Sequence, residues 1–258
     1  LGDCALTAFA PEWRRSNHDV KPGSPTLPRL LDHARSSARA AGALMRDNLR
    51  ASKRVALETQ HDIKLELDSR CQRLITRALR RAFPSAAVLG EEGTAGDPGA
   101  PWRWVVDPID GTVNFTYGIP HACVSIALQE RGTPGTSPVE PAYADGYTTR
   151  LGVVYDPFTD ELWSATDTGP ALLNGIVINV SARRRLTEAI VALGFAKTRR
   201  SLERMLPVFQ ELVHRVRKIR LMGAAALSMT YVASGRFEAY VESGVRLWDI
   251  AAGGLIVQ

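Results

Sequence analysis

The sequence predicts a layered α/β protein with one large domain, and three observations carry that expectation. Segments of helical apolar spacing alternate with short apolar runs of strand length from about residue 28 onward. With 258 residues and 45% hydrophobic content, the chain can bury a sizeable core in one domain or two closely packed halves. No stretch has the composition of a linker between tandem domains.

Taken in order, Leu1 to about Leu27 is rich in Pro, Ser, Gly and charge without sustained periodicity, and reads as a mobile leader that carries no chemistry. The first residue is not Met, which processing, a cloning boundary or an incomplete coding sequence explain equally well. Leu30, Leu31, Ala34, Ala38, Ala41, Met45 and Leu49 recur at helical spacing, so residues 28–50 form an amphipathic helix with a core-facing stripe. Asp62 to Asp68 alternates polar and apolar residues as a strand does, and Cys71, Leu74, Ile75, Ala78 and Leu79 then follow a helical period. Asp68 stands where strand meets helix, a natural N-cap, and Arg77, Arg80 and Arg81 complement the dipole at the far end.

Ala86–Leu89 and Trp104–Val106 read as buried strands, and Ala122–Leu128 as a third. Leu151–Tyr155 and Glu161–Ala165 pair as a hairpin around Asp156-Pro157-Phe158. Before them, residues 131–150 are rich in Gly, Pro, Ser and Thr and form an insertion, long for a hairpin loop, with no catalytic role assigned. The later half continues with Ile190–Phe195 as a strand, Ser201–Val216 as a helix, Gly223–Tyr231 as a helix of small residues and Phe237–Val241 as a strand. A last helix of small residues opens near Asp249, where an Asp before Ala-Ala is a natural N-cap.

Chemistry concentrates at three strand or loop ends. Trp104-Val-Val runs into Asp107-Pro-Ile-Asp110, where Pro108 implies a tight turn and Gly111 with Thr112 offers backbone N–H groups at a possible helix start. Two carboxylates held that close repel unless one is protonated or a cation lies between them, and a hard, oxygen-binding ion such as Mg²⁺ suits that place. Gly90-Glu91-Glu92-Gly93 follows the Ala86–Leu89 strand, and Asp249 supplies a third acidic position. Each piece alone is a solvated loop or a cap; together and in this order they are specific.

Those three motifs, Gly-Glu-Glu, Asp-Pro-Ile-Asp-Gly-Thr and Trp-Asp-x-Ala-Ala-Gly, resemble the inositol monophosphatase family, part of the lithium-sensitive, Mg²⁺-dependent phosphatase superfamily that includes fructose-1,6-bisphosphatases. They span Gly90 to Gly253, with looser similarity back to about Leu30. The resemblance implies a five-layer αβαβα sandwich with metals between two halves, a catalytic domain over residues 28–258, and two or three Mg²⁺ ions. Members of the family continue with a further strand and helix, so it also implies a sequence cut short at Gln258 or a second sheet completed differently. Relatives are usually dimers, which makes a homodimer the expectation.

On that resemblance, Glu91, Asp107, Asp110 and the main-chain carbonyl of Ile109 hold one ion, while Asp107, Asp110 and Asp249 hold a second. One ion makes hydroxide from a bound water and the other stabilises the leaving alkoxide, with no covalent phosphoenzyme. Thr112 helps Glu91 activate the water, Asp68 orients that Thr, and the N–H groups of Gly111 and Thr112 hold phosphate oxygens. Gly223, Ala224, Glu242 and Asp249 line the alcohol side. Leu65 stands where the family pattern Asp-x-x-Thr-x-x-Asp has Thr, and Lys64 adds a cation, which bears on lithium sensitivity and on a third metal position. Ala224 replaces a Thr of the animal enzymes and removes one polar handle.

The expected substrate is a small phosphate monoester, inositol monophosphate first, with histidinol phosphate or a sugar or nucleotide bisphosphate as alternatives. A regulatory or nucleic-acid-binding or protein-binding protein on the same scaffold is the reading from another class. The net charge of +5 and pI of 9.3 come from dispersed basic residues without interleaved aromatics, which disfavours a nucleic-acid groove. Arg183-Arg184-Arg185 precedes a helix on this reading, and Arg73, Arg77, Arg80 and Arg81 share another. Cys4, Cys71 and Cys123 are odd in number, without CxxC spacing, and read as reduced packing thiols. No secretory signal or membrane-length apolar run is visible, so the expected place is the cytoplasm or an organelle.

Overall fold

A mixed eight-stranded sheet positions the candidate site residues. The structure, a computed structural model, describes residues 26–58, 63–132, 145–195 and 198–258. The expected leader falls almost wholly on residues 1–25 and the middle of the expected insertion on residues 133–144, outside the described residues.

Helix α1 (Leu27–Asn48) buries Leu30, Ala34, Ala38, Ala41 and Met45, the stripe set by its apolar period, and opens on Pro28 where a first-turn N–H needs no partner. A short hairpin, β1 (Val55–Glu58) and β2 (Ile63–Leu65), leads into α2 (Glu66–Ala82). Next come β3 (Ala87–Gly90), β4 (Gly93–Ala95), β5 (Trp102–Asp110), the five-residue α3 (Thr112–Thr116) and β6 (Cys123–Arg131). The chain continues through β7 (Tyr147–Asp156), β8 (Glu161–Thr166), β9 (Leu172–Leu173) and β10 (Ile176–Val177). Beyond a 3₁₀ turn at Leu186–Glu188 lie β11 (Ile190–Leu193), α4 (Arg199–Val213), β12 (Lys218–Arg220), α5 (Ala225–Ala233), β13 (Ala239–Val241) and α6 (Leu247–Val257).

The large sheet runs β10-β9-β8-β7-β6-β5-β3-β4, and β3 beside β5 is its parallel pair. Strand alternation divides its central residues between two cores. Trp104, Val106, Ile126 and Val153 face α1 and α2, whereas Val105, Ala127, Val154 and Trp163 face α5 and α6. Small residues in α6 allow it to lie close on the sheet: a Cβ added at Gly152 would come 2.7 Å from the Ala252 carbonyl oxygen. On the far side, α5 packs on β13 of a parallel three-stranded sheet, β12-β11-β13, whose other face carries α4. The layers therefore follow the order αβαβα.

Several boundaries differ from the sequence reading. The strands β6 and β7 extend to Arg131 and from Tyr147, so the connection is shorter than 131–150. The helix expected over 201–216 starts two residues earlier at the Thr198 cap, whose hydroxyl accepts the Ser201 N–H, and ends at Val213. Arg183 to Arg185 precede a 3₁₀ turn and a strand instead of a helix, because the apolar run Ile190–Leu193 follows at once. No helix among the described residues is long and apolar enough to cross a membrane.

Candidate active site

The parallel register of β3 and β5 brings the first two acidic motifs together. Gly90 pairs with Val106, and the Glu91 N–H donates to the Val106 carbonyl at 3.1 Å, so both chains leave the sheet at the same edge. A Cβ at Gly90 would collide with the Gln72 side chain, whose amide oxygen accepts the Glu92 N–H at 2.8 Å and whose amide nitrogen donates to the Gly93 carbonyl at 2.9 Å. Gln72, buried on α2, thus fixes the turn that carries Glu91. Sequence reasoning missed it, since a polar residue in a helix carries no local signal of what it touches.

Strand β5 stays extended through Pro108 with an irregularity between Asp107 and Asp110, so the expected tight turn at Pro108 is displaced. The reversal comes at Gly111, whose φ of 92° is left-handed and whose added Cβ would lie 3.0 Å from the His121 carbonyl oxygen. Inside this bend the Asp107 carboxylate accepts the Ile109 N–H at 3.0 Å, and the Thr112 hydroxyl donates to the Ile109 carbonyl at 2.8 Å. Asp110 reaches across the fold to the start of α5, accepting N–H groups from Ala225 at 3.2 Å and Ala226 at 2.7 Å. Its second oxygen also meets the Cys123 thiol at 3.6 Å, so Cys123 touches the site and does more than pack.

Burial is the first cause of the raised pKa of every one of these carboxyl groups. Asp107 is held well above its ordinary value by desolvation and then by Glu91, Asp110, Asp249 and Asp68. Asp110 is pushed up to about 7 by burial and Asp249, against its bonds to Ala226 and Ala225. Glu91 is raised by burial, with Lys64 opposing and Glu92 and Asp249 adding to the shift. Asp249 therefore belongs electrostatically to the same cluster, although it lies 139 residues beyond Asp110 in a chain position set by α6. Its carboxylate accepts the Arg246 N–H at 2.6 Å from the third position of that helix, not from the cap position the sequence suggests.

Asp68 repeats this arrangement. It occupies the third position of α2, where the carboxylate accepts the Leu65 N–H at 2.6 Å, because β2 ends at Leu65 and the helix begins at Glu66. Its other oxygen is buried without a hydrogen-bond partner, and burial first, with Glu92 and Glu91, lifts its pKa to about 7. Among the described residues no hydrogen bond joins Asp68 to Thr112; the hydroxyl is engaged by Ile109. Lys64 pairs with Glu92 at 2.8 Å, a local charge balance beside Glu91.

Of the residues expected to line the alcohol, Gly223 has a φ of 75° and Ala224 is buried immediately before α5. Asn114 of α3 bridges this segment to the loop before β6, donating to the carbonyls of His121 at 2.9 Å and Met222 at 2.8 Å. Glu242 follows β13, accepts a hydrogen bond from the Tyr240 hydroxyl, and fills the space a side chain at Gly194 would need. Asn114 and Tyr240 are further contacts that periodicity does not reveal.

The sequence model of the inositol monophosphatase family matches residues 27–258. This chain belongs to the inositol monophosphatase family. It is 36% identical to the Nus factor SuhB of Pseudomonas aeruginosa, over 89% of this chain and 82% of that protein. It is 37% identical to an inositol-1-monophosphatase of Rhizobium meliloti, over 79% and 72% respectively. Among solved structures, the extragenic suppressor protein suhB of Bartonella henselae aligns with a TM-score of 0.79 at 31% identity, covering 88% of this chain and 83% of that one. An inositol monophosphatase from Anabaena aligns with a TM-score of 0.74 at 31% identity, covering 90% and 81%. The fold is thus that of the inositol monophosphatases, and the chain is a phosphatase of that family, whose members are in general metal-dependent.

The inositol monophosphatase donor set here fits a hard divalent cation by its chemistry: buried carboxylates with raised pKa values, a main-chain carbonyl at Ile109, and the partnerless oxygen of Asp68. Among the described residues no three acidic, His or Cys side chains already stand as a finished metal cage. Like charges oppose such convergence, and Asp107, Asp110 and Asp249 are each held by backbone N–H groups.

Proposed function

We propose that this chain is a Mg²⁺-dependent phosphomonoesterase acting on a small alcohol phosphate, with inositol monophosphate the first candidate. The observation that carries this reading is the burial of Asp107 and Asp110 beside Glu91 and Asp249, charges that a hard cation neutralises, directly under the Gly111–Thr112 bend. Glu91, Asp107, Asp110 and the Ile109 carbonyl would hold one Mg²⁺, and Asp107, Asp110 and Asp249 a second. Bound there, the ions supply charge neutralisation and a lowered water pKa.

The residues of the chain do the rest. The N–H groups of Gly111 and Thr112 orient the phosphate oxygens, and glycine is the residue type that holds a φ of 92° without strain. Glu91, half-buried and raised in pKa, accepts the proton of the attacking water, with Thr112 positioning it. Water oxygen bonds to phosphorus as the ester oxygen leaves, and the departing alkoxide takes up a proton. Gly223, Ala224, Asp249 and Glu242 face the alcohol; with Ala224 offering no hydroxyl, Glu242 and its Tyr240 partner carry most polar selection there. The domain spans residues 28–258, and a homodimer is part of this proposal.

Phosphate release from inositol 1-phosphate, histidinol phosphate, fructose 1,6-bisphosphate and adenosine 3′,5′-bisphosphate, with and without Mg²⁺, tests the reading. Mg²⁺-dependent turnover of the first supports it, and preference for another member reassigns the alcohol. Relatives of comparable identity bear the name Nus factor, which supports a regulatory role as the second reading. Folded, Mg²⁺-binding protein that releases no phosphate from any of the four would favour that reading.

A further inference from the structure

Helix α2 presents a row of arginines that the candidate active site does not use. Arg70, Arg73, Arg77, Arg80 and Arg81 are all exposed and recur every three or four residues, a row about 16 Å long at the helical rise. They border two adjoining hollows of about 570 and 420 Å³, which share Arg73, Arg77 and Arg81. The larger lies between α2 and the β3–β4 turn and is also bounded by Arg80 and Pro84.

These guanidinium groups differ from those of the arginines that hold the fold together through ion pairs. Arg35, Arg103, Arg150, Arg183 and Arg236 each pair with a carboxylate. Among the described residues, the guanidinium groups of Arg73, Arg77, Arg80 and Arg81 neither donate a hydrogen bond nor pair with an acid. The carboxylate in the larger hollow, Glu92, is already held by Lys64 at 2.8 Å and by the Ser69 hydroxyl at 3.4 Å. Four cations, Arg73, Arg77, Arg80 and Arg81, therefore line the larger hollow with one compensated carboxylate, in a concavity of small-molecule size. Placing so many like charges on one helix face costs self-repulsion, which a multivalent anion relieves.

We propose that this groove binds a compact ligand bearing two or more phosphate groups, at a site separate from the carboxylate cluster. Guanidinium forks bind phosphate oxygens bidentately, and successive turns of α2 set forks about 5–6 Å apart, a spacing that engages neighbouring phosphates at once. Among the described residues no aromatic side chain borders either hollow, so the recognised feature is phosphate charge and not a stacked base. The wall of the larger hollow includes Ser69, Gln72 and Glu92, the residues that brace the Glu91 turn, so the groove adjoins the site without being part of it.

The test is isothermal titration calorimetry of the full chain with inorganic tripolyphosphate in EDTA, where the metal-free carboxylate cluster repels anions. Binding is expected, with orthophosphate at least about tenfold weaker, and the double variant Arg77→Gln/Arg80→Gln weaker by about tenfold or more. Both positions are exposed, and an unchanged melting temperature verifies that the variant folds. Three results overturn the proposal: no heat of binding, equal affinity in the double variant, or equal affinity for orthophosphate. A single-stranded RNA oligonucleotide that binds more tightly through the same arginines, and excludes tripolyphosphate, would also overturn it in favour of a nucleic-acid track.

Discussion

Glu91 donates its backbone N–H to the carbonyl of Val106 at 3.1 Å, one step beyond the last paired residues of two parallel strands. That bond continues the β3–β5 ladder just far enough to put the Glu91 side chain beside Asp107. A carboxylate pair is thereby built by backbone register, which is stiffer than any side-chain contact and persists whether or not a cation lies between them.

Replacing Asp249 by Asn tests the reach of α6 into this cluster. Turnover that depends on Mg²⁺ should fall by about a hundredfold or more while the fold is kept, because a ligand is lost but the amide still accepts the Arg246 N–H. Near-normal turnover in a variant of unchanged melting temperature would remove Asp249 from the second metal position.

Stability without metal should depend on pH in an unusual direction. Asp68 and Asp110 have folded pKa values of about 7 against ordinary values of 3.8, so between those limits the folded state binds more protons than the unfolded state. Stability of the EDTA-treated protein should therefore rise as pH falls from about 7.5 to about 5.5 and decline as pH rises through 7. Saturating Mg²⁺ should flatten that profile, since a bound cation favours the ionised carboxylates. Melting temperatures across this range, with and without Mg²⁺, check both statements; a metal-free protein that stabilises with rising pH would contradict the assigned burial.

Gly111→Ala should cost about 1–3 kcal/mol in denaturant unfolding and abolish most turnover. The φ of 92° strains any side chain, and the new Cβ would press on the His121 carbonyl at 3.0 Å. If unfolding shows the loss but turnover is kept, the bend matters for stability and not for holding phosphate.

Tyr240→Phe separates alcohol recognition from chemistry. Without the hydroxyl that donates to Glu242, KM for inositol 1-phosphate should rise roughly three- to tenfold with kcat little changed. A fall in kcat at constant KM would place Glu242 closer to the reacting atoms than to the ring.

Much of this was legible in the chain itself. The apolar periods of residues 28–50 and of Cys71 to Leu79 announced α1 and α2, since a helix buried on one face must repeat its contacts every turn. The acidic motifs announced that carboxylates would meet, and Glu91, Asp110 and Asp249 do act on the buried Asp107. Tertiary structure alone decided the rest. It carried Asp110 to the amides of Ala225 and Ala226, set Gln72 under the Glu91 turn, and brought Tyr240 to Glu242. It also moved Asp68 and Asp249 from the cap to the third position of their helices. Local patterns report which face of an element is buried; which groups then meet depends on strand register and layer packing between residues far apart in sequence, and no local pattern encodes that.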